Sequence, residues 1–207
     1  LRLGEVELHI PLLGTFNAYN ISAVYGAAIL LGFDAWEVQR ALTLLRPVRG
    51  RLDYKLLADR LAIVDFAHTP DALEKVLSTL TELKPKLAEI ITVMGAGGDR
   101  DQGKRPQMGA AAARYSQRLI LTSDNPRHED PEVIIQQIYD GIPPKLQSMV
   151  LCNPDRREAI RTAVALSRKG DFILVAGKGH ENYQQVGDVK SSFNDAVELQ
   201  KALESLK

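Results

Sequence analysis

From Arg51 onward, short apolar runs alternate with stretches in which apolar residues recur every three or four positions, and few folds satisfy that alternation. The runs at 61–66, 89–94, 119–122, 149–152 and 172–176 read as buried strands. Helical patterns lie between them. Pro70 opens one with Leu73, Val76, Leu77 and Leu80 on a single face, and a second, over 105–115, turns Met108, Ala111, Ala112 and Tyr115 inward. Ile135, Ile138 and Tyr139 mark a third, and Ile160, Ala163 and Val164 a fourth that Gly170 closes. Strand and helix in turn imply an α/β chain built on a doubly wound sheet rather than a bundle. Residues 183–189 suggest a short strand or hairpin, and Ala196, Leu199, Leu203 and Leu206 a terminal helix.

The first fifty residues follow another pattern. Val6-Glu7-Leu8-His9-Ile10 is strand-like with no partner strand close behind it, so the chain is expected to be cut from a longer one. Asn17 is expected to cap a helix whose inner face is Ile21, Val24, Tyr25 and Ala28. Asp34 is expected to cap a second helix, carrying Val38, Ala41, Leu42 and Leu45 inward and ended by Pro47 and Gly50. The lone Trp36 is expected in a core or an interface. These features predict a domain boundary, with residues 1–46 closing one domain and 47–207 forming another.

Composition narrows the partners. Lys and Arg number 26 and Asp and Glu 26, so net charge is zero, which argues against nucleic acid or a membrane surface held by bulk positive charge. Cys152 is the only cysteine, so no disulfide can form within the chain, and a reducing, cytoplasmic setting is expected. The longest apolar stretch, around 27–33, is too short to cross a bilayer.

In an open doubly wound sheet, the loops at the carboxyl ends of the strands line one crevice where ligands bind. Four polar loops here follow apolar runs: Asp65 to Pro70, Gly95 to Arg100, Asp124 to Arg127, and Gly177 to Glu181. In Asp124-Asn125-Pro126-Arg127, Asp and Asn favour turns, Pro fixes φ, and Arg offers a rigid fork of donors to a carboxylate or phosphate. His68, before a proline-started helix, is placed beside a phosphate at the positive end of a helix dipole, and Asp65 at the strand's end suits ribose hydroxyls; a plain capping loop is the alternative. Gly95-Ala96-Gly97-Gly98 misses the dinucleotide fingerprint, because Arg100 stands where its third glycine belongs. Small residues there let backbone amides and Arg100 approach an anion. Lys104-Arg105 reads as a solvated helix start. Gly177-Lys178-Gly179-His180-Glu181 lacks P-loop spacing, although its glycines allow close ligand approach. Cys152 and the histidines have no metal-ligand spacing.

Taken together, Asp65-Phe66-Ala67-His68-Thr69-Pro70-Asp71, Gly97-Gly98-Asp99-Arg100-Asp101-Gln102-Gly103-Lys104-Arg105-Pro106, Asp124-Asn125-Pro126-Arg127 and Gly177-Lys178-Gly179-His180-Glu181 resemble the motifs of the Mur ligases, over nearly the whole chain. Gly14-Thr15-Phe16-Asn17-Ala18-Tyr19-Asn20 resembles the segment that closes that family's central ATPase domain. The chain departs from the family at Arg49, where a linker proline is usual, and at Phe66, where a tyrosine is usual. The resemblance implies a Rossmann-like C-terminal domain preceded by the helical end of the central domain. It implies a monomeric ligase of peptidoglycan synthesis that uses ATP and magnesium to join meso-diaminopimelate to a UDP-N-acetylmuramoyl dipeptide through an acyl phosphate. It sets Asn20, Arg51, Asp65 and His68 near ATP, and Arg100, Asp124, Asn125, Arg127, Gly177 and Glu181 around meso-diaminopimelate, with the amino-acid ammonium on Glu181. No catalytic residue and no metal ligand falls to this stretch, which is expected to be inactive alone, lacking the upstream Walker loop and UDP-sugar domain. A lysine-adding ligase, a folylpolyglutamate or cyanophycin synthetase, a dehydrogenase domain and a non-catalytic module remain as alternatives.

Overall fold

A computed structural model describes residues 1–206, and the chain divides into two compact units, Leu1–Val48 and Arg49–Lys207. In the first unit, β1 (Arg2–Leu3) pairs antiparallel with β2 (Val6–Glu7) across a turn where Gly4 takes φ 64°. The strand-like segment therefore finds its partner in the residues before it. Helix α1 (Thr15–Leu30) starts at Gly14, not at Asn17, whose Nδ2 instead donates back to Leu13 O at 2.7 Å. Helix α2 (Ala35–Thr43) is capped as expected, by Asp34 accepting from Glu37 N at 3.0 Å. The core of this unit is small: Leu3, Leu8, Ile21 and Leu42, with Tyr25 and Val38 against it. It covers only part of each helix, so Val24, Ala41, Leu45 and Trp36, expected inside, are exposed.

The second unit holds β3 (Asp53–Leu57), β4 (Arg60–Asp65), α3 (Pro70–Leu83), β5 (Ile90–Met94), α4 (Lys104–Tyr115), β6 (Arg118–Leu121), α5 (Pro131–Asp140), β7 (Val150–Cys152), α6 (Arg156–Leu166), β8 (Phe172–Ala176), β9 (Tyr183–Val186), β10 (Val189–Ser192) and α7 (Asp195–Glu204). Six strands form one sheet in the order β3-β4-β8-β5-β6-β7, parallel throughout except at β3. The sequence pattern hides β3, because an edge strand reading Asp-Tyr-Lys-Leu-Leu needs no apolar run. Its hairpin to β4 turns at Ala58 and Asp59, both at positive φ, as a two-residue turn with the twist of the strands requires.

Alternate strand residues feed two cores. Ala62, Val64, Ile91, Val93, Ile120, Ile173 and Val175 meet α6 and α7 through Ile160, Ala163, Leu199 and Leu203. Their neighbours, among them Ile63, Ile90, Leu119 and Leu174, are equally buried on the other face, where α3, α4 and α5 lie side by side. Leu73, Leu77 and Leu80 of α3 have no exposed surface, each worth about 2 kcal/mol of burial. Ala111 and Tyr115 of α4 are half-buried rather than buried, because Gly109 and Ala113 take the inner face. Leu206 lies past the end of α7 and is exposed.

The start of α4 departs most from expectation. Arg105 has no exposed surface. Its guanidinium donates to both carboxylate oxygens of Glu129, at 2.7 and 2.8 Å, to Gln137 Oε1 at 2.7 Å and to Gly97 O at 3.1 Å. Glu129 also accepts from Asp99 N at 2.6 Å, so one ion pair ties the loop after β5 to the loop after β6. The Arg105 guanidinium, helped by the Asp99 amide, holds the Glu129 carboxyl below its ordinary value of 4.5.

Two outcomes follow for stability. Replacing a helical glycine by alanine ordinarily stabilises by up to about 1 kcal/mol. At Gly109 the added methyl would run into the carbonyl oxygen of Ile138 in α5, and overpacking of this kind costs about 1–3 kcal/mol. Gly109→Ala should therefore lower the unfolding free energy by about 1–2 kcal/mol in urea titration. Glu129→Gln should cost about 3 kcal/mol near neutral pH, since it strands a buried guanidinium. Because the folded-state pKa is depressed, the pair's contribution is complete above 4.5 and is lost as pH falls through the folded value. The mutant and the parent should thus converge in stability in acid; a gap independent of pH would remove the charge from the explanation.

Candidate functional site

Four neighbouring strands, β4, β8, β5 and β6, end at the same edge of the sheet, and the loop that follows each contributes to one cleft of about 280 Å³. Phe66 and His68 come from the first loop, Gly177 and Glu181 from the second, Ala96, Gly97, Arg100 and Lys104 from the third, and Asp124, Asn125 and Arg127 from the fourth. Three of these loops approach so closely that glycine is required. A Cβ at Gly98 would collide with Pro126 O, and one at Gly177, where φ is 115°, would stand 2.6 Å from Asp124 Oδ2.

Asn125 is 2% exposed and both polar atoms of its side chain are bonded. Oδ1 accepts from Lys178 Nζ and from Gln185 N, each at 2.9 Å, and Nδ2 donates to Glu181 Oε2 at 2.9 Å. Arg127 is held by its backbone to the β9–β10 hairpin: its N–H donates to Gln185 O at 3.2 Å and its carbonyl accepts from Gly187 N at 2.7 Å. This pairing leaves Arg127 in the left-handed region at φ 49°. Its side chain uses one donor on Gly98 O, at 2.7 Å; Arg100 makes no hydrogen bond among the described residues. Beside them His128 bridges Asp99, at 2.8 Å, and Asp188, at 3.4 Å, and the Asp99 carboxylate raises its pKa.

The two acids of the cleft are tuned apart. Burial pushes Asp124 up from its ordinary value, with Arg156 and Lys178 opposing. Burial also works against ionisation of Glu181, but the hydrogen bonds from Lys178 and Asn125 outweigh it and hold this carboxyl below its ordinary value. Behind this wall lies Arg156, with no exposed surface, bonded twice to Asp195 at 2.8 Å and once each to Ser123 O and Ala176 O.

All six residues expected around an amino acid line the cleft, and so does His68. The Nδ1 of His68 lies 2.7 Å from Phe66 O, which can only accept, so Nδ1 carries the proton and Nε2 is left for a ligand. Asp65 does not line the cleft. Its oxygens accept from Leu52 N at 2.6 Å and Ala67 N at 2.7 Å, and burial raises its pKa. Arg51 stands 5.8 Å over the ring of Phe66, also outside the cleft lining. Asn20 belongs to the first unit, where its Nδ2 donates to Asn17 Oδ1. Sequence reasoning missed Arg156, Lys178 and Lys104 as parts of the site; the glycines flanking Lys178 were the one available signal. Among the described residues no group of three or more His, Cys, Asp or Glu is arranged to hold a metal ion.

A family model described as the Mur ligase glutamate ligase domain matches residues 50–179. The chain is 50% identical over 196 residues to a UDP-N-acetylmuramoyl-L-alanyl-D-glutamate--2,6-diaminopimelate ligase of Phocaeicola vulgatus, covering 94% of this chain and 40% of that protein. It is 45% identical over 199 residues to the ligase of the same name from Aquifex aeolicus, again covering 40% of the relative. A solved structure bearing that ligase name shares 42% identity with a TM-score of 0.75, over 96% of this chain and 40% of that one. A UDP-N-acetylmuramate-alanine ligase from Thermotoga maritima, at 19% identity and a TM-score of 0.66 over 97% of this chain and 40% of that one, shares the fold. The chain spans about two fifths of the length of the relatives it matches. With four loops at one sheet edge and a matching domain model over most of the second unit, the chain belongs to the Mur ligase family.

Proposed function

We propose that the cleft binds the far amino-acid centre of meso-diaminopimelate, and that the protein carrying this chain is the ATP-dependent ligase that joins it to UDP-N-acetylmuramoyl-L-alanyl-D-glutamate. One observation carries the reading: the same cleft presents unspent cationic donors, on Arg100 and Arg127, and ionisable acids, Asp124 and Glu181. A zwitterion needs that pairing. A carboxylate would take the planar fork of Arg127 with Arg100 beside it, and the ammonium next to it would meet Glu181 and Asp124. Asn125 and Gly177 shape the same wall. The relatives named for 2,6-diaminopimelate support the choice of ligand. A cleft of about 280 Å³ suits one end of a small amino acid, with the other end left to reach the acyl phosphate.

In the reaction, ATP phosphorylates the dipeptide carboxylate and the free amine of meso-diaminopimelate attacks the acyl phosphate, releasing phosphate. This chain's share is to hold that amine's carrier in one orientation. His68 and Arg51, both against Phe66, are the groups through which the second unit would meet ATP, with Asp65 fixing their loops. Magnesium would be bound mainly by other parts of the protein, to manage the charge of the phosphates. No described helix is long and apolar enough to cross a membrane, and nucleotide substrates suit a cytoplasmic enzyme.

Lysine lacks the far carboxylate, so it would leave Arg127 unpaired. Arg127→Ala should weaken meso-diaminopimelate binding at least tenfold, from the roughly 2–5 kcal/mol cost of breaking such a pair, and should narrow the preference over lysine. Calorimetric titration with both ligands is the check, and an unchanged preference would end the assignment of Arg127.

A further inference from the structure

Lys178 is wholly buried and does not line the cleft. Gly177 at φ 115° and Gly179 at φ 53° let its loop press so close that a Cβ on the second would stand 2.7 Å from Phe66 Cβ. The ammonium is thereby cut off from water and depends on its partners: Asn125 Oδ1 at 2.9 Å, Glu181 Oε2 at 2.9 Å, the Asp124 carboxylate at 3.9 Å and the Tyr183 ring at 5.4 Å. Other charges nearby are committed elsewhere. Arg156 is bonded to Asp195 and acts on Asp124 only through space, Arg127 is bonded to Gly98 O and acts on Glu181 only through space, and His180 leans on Phe66 at 5.3 Å. Among the described residues Lys178 is therefore the one cation in direct contact with both carboxylates. Both bonds to Glu181, from Lys178 and from Asn125, fall on Oε2, so Oε1 has no partner among the described residues.

We propose that Lys178 is the positioning residue of the ammonium subsite: it pins one oxygen of Glu181, leaves the other open, and with Asp124 keeps the wall short of the single positive charge that an amino acid's ammonium brings. This rests on the reading of the cleft as an amino-acid site. Without Lys178, Asp124 and Glu181 would repel each other with no cation bonded to either, and one of them would take up a proton. An arriving ammonium would then have to displace that proton, so binding would come to depend on pH.

The test compares the 207-residue chain with its Lys178→Met variant, which keeps the length of the side chain and removes the charge. NMR titration of the Glu181 carboxyl should show its midpoint displaced upward in the variant. Binding of meso-diaminopimelate should be level between about pH 6 and about pH 8 in the parent. In the variant it should be at least tenfold weaker at the acid end, with the deficit narrowing at the alkaline end. An unmoved Glu181, or an equal loss at both ends, overturns the positioning role. If Glu181 moves as expected but the parent does not bind meso-diaminopimelate, the amino-acid reading falls and the subsite with it. The parent provides a check should the variant not fold: the Lys178 ammonium protons should exchange slowly with water and shift as Glu181 titrates. Absence of that coupling overturns the proposal too.

Discussion

The carboxyl-end loops are held by cations that have been taken out of water. The side chains of Arg105, Arg156 and Lys178 have no exposed surface, and each joins loops that are far apart in the chain. An unpaired charge in such a place would be prohibitively costly, so each is stable only when its full set of acceptors has arrived. Arg105 comes close to that limit, with Nε its one unpartnered nitrogen. The consequence is an all-or-none loop arrangement. The cleft exists in one geometry because the intermediate geometries would expose a bare charge to apolar surroundings.

That constraint explains why strained backbone is tolerated at the rim. Arg127 and Asp99, neither a glycine, both sit in the left-handed region, at a cost of about 1–3 kcal/mol each. Arg127 is held there by two backbone bonds to the hairpin, and Asp99 by its amide bond to Glu129. The buried pairs offset the strain. Side chains, not backbone ease, decide which residues stand at these positions.

How much of this was legible in the sequence follows from the same physics. The parallel strands were plain, because burial on both faces demands nearly continuous apolar runs such as Ile90 to Met94, broken only by Thr92, and Phe172 to Ala176. The edge strand β3 was not, since two of its five residues are exposed and none is buried. The four site loops announced themselves through Gly, Asp, Asn and Pro after each run, and the cleft gathers seven of the ten residues expected to bind ligand. What the sequence concealed were partners distant along the chain. Arg105 beside Lys104 at a helix start has the look of a solvated pair until Glu129 comes into place, and nothing near Asp65 in the chain signals that Leu52 N, thirteen residues back, bonds one of its oxygens. In the first unit, four buried side chains could not cover every apolar position that the periodicity pointed inward.

The position of β8 has a consequence for how the chain comes to be made. It is the last parallel strand in sequence, yet it lies between β4 and β5, which do not pair with each other. As the polypeptide leaves the ribosome, both strands must wait with an open edge while roughly a hundred residues separating β4 from β8 are added, and the loop bearing Lys178 and Glu181 emerges only after that. Half-made chains therefore present unpaired strand edges and no cleft until translation passes Ala176.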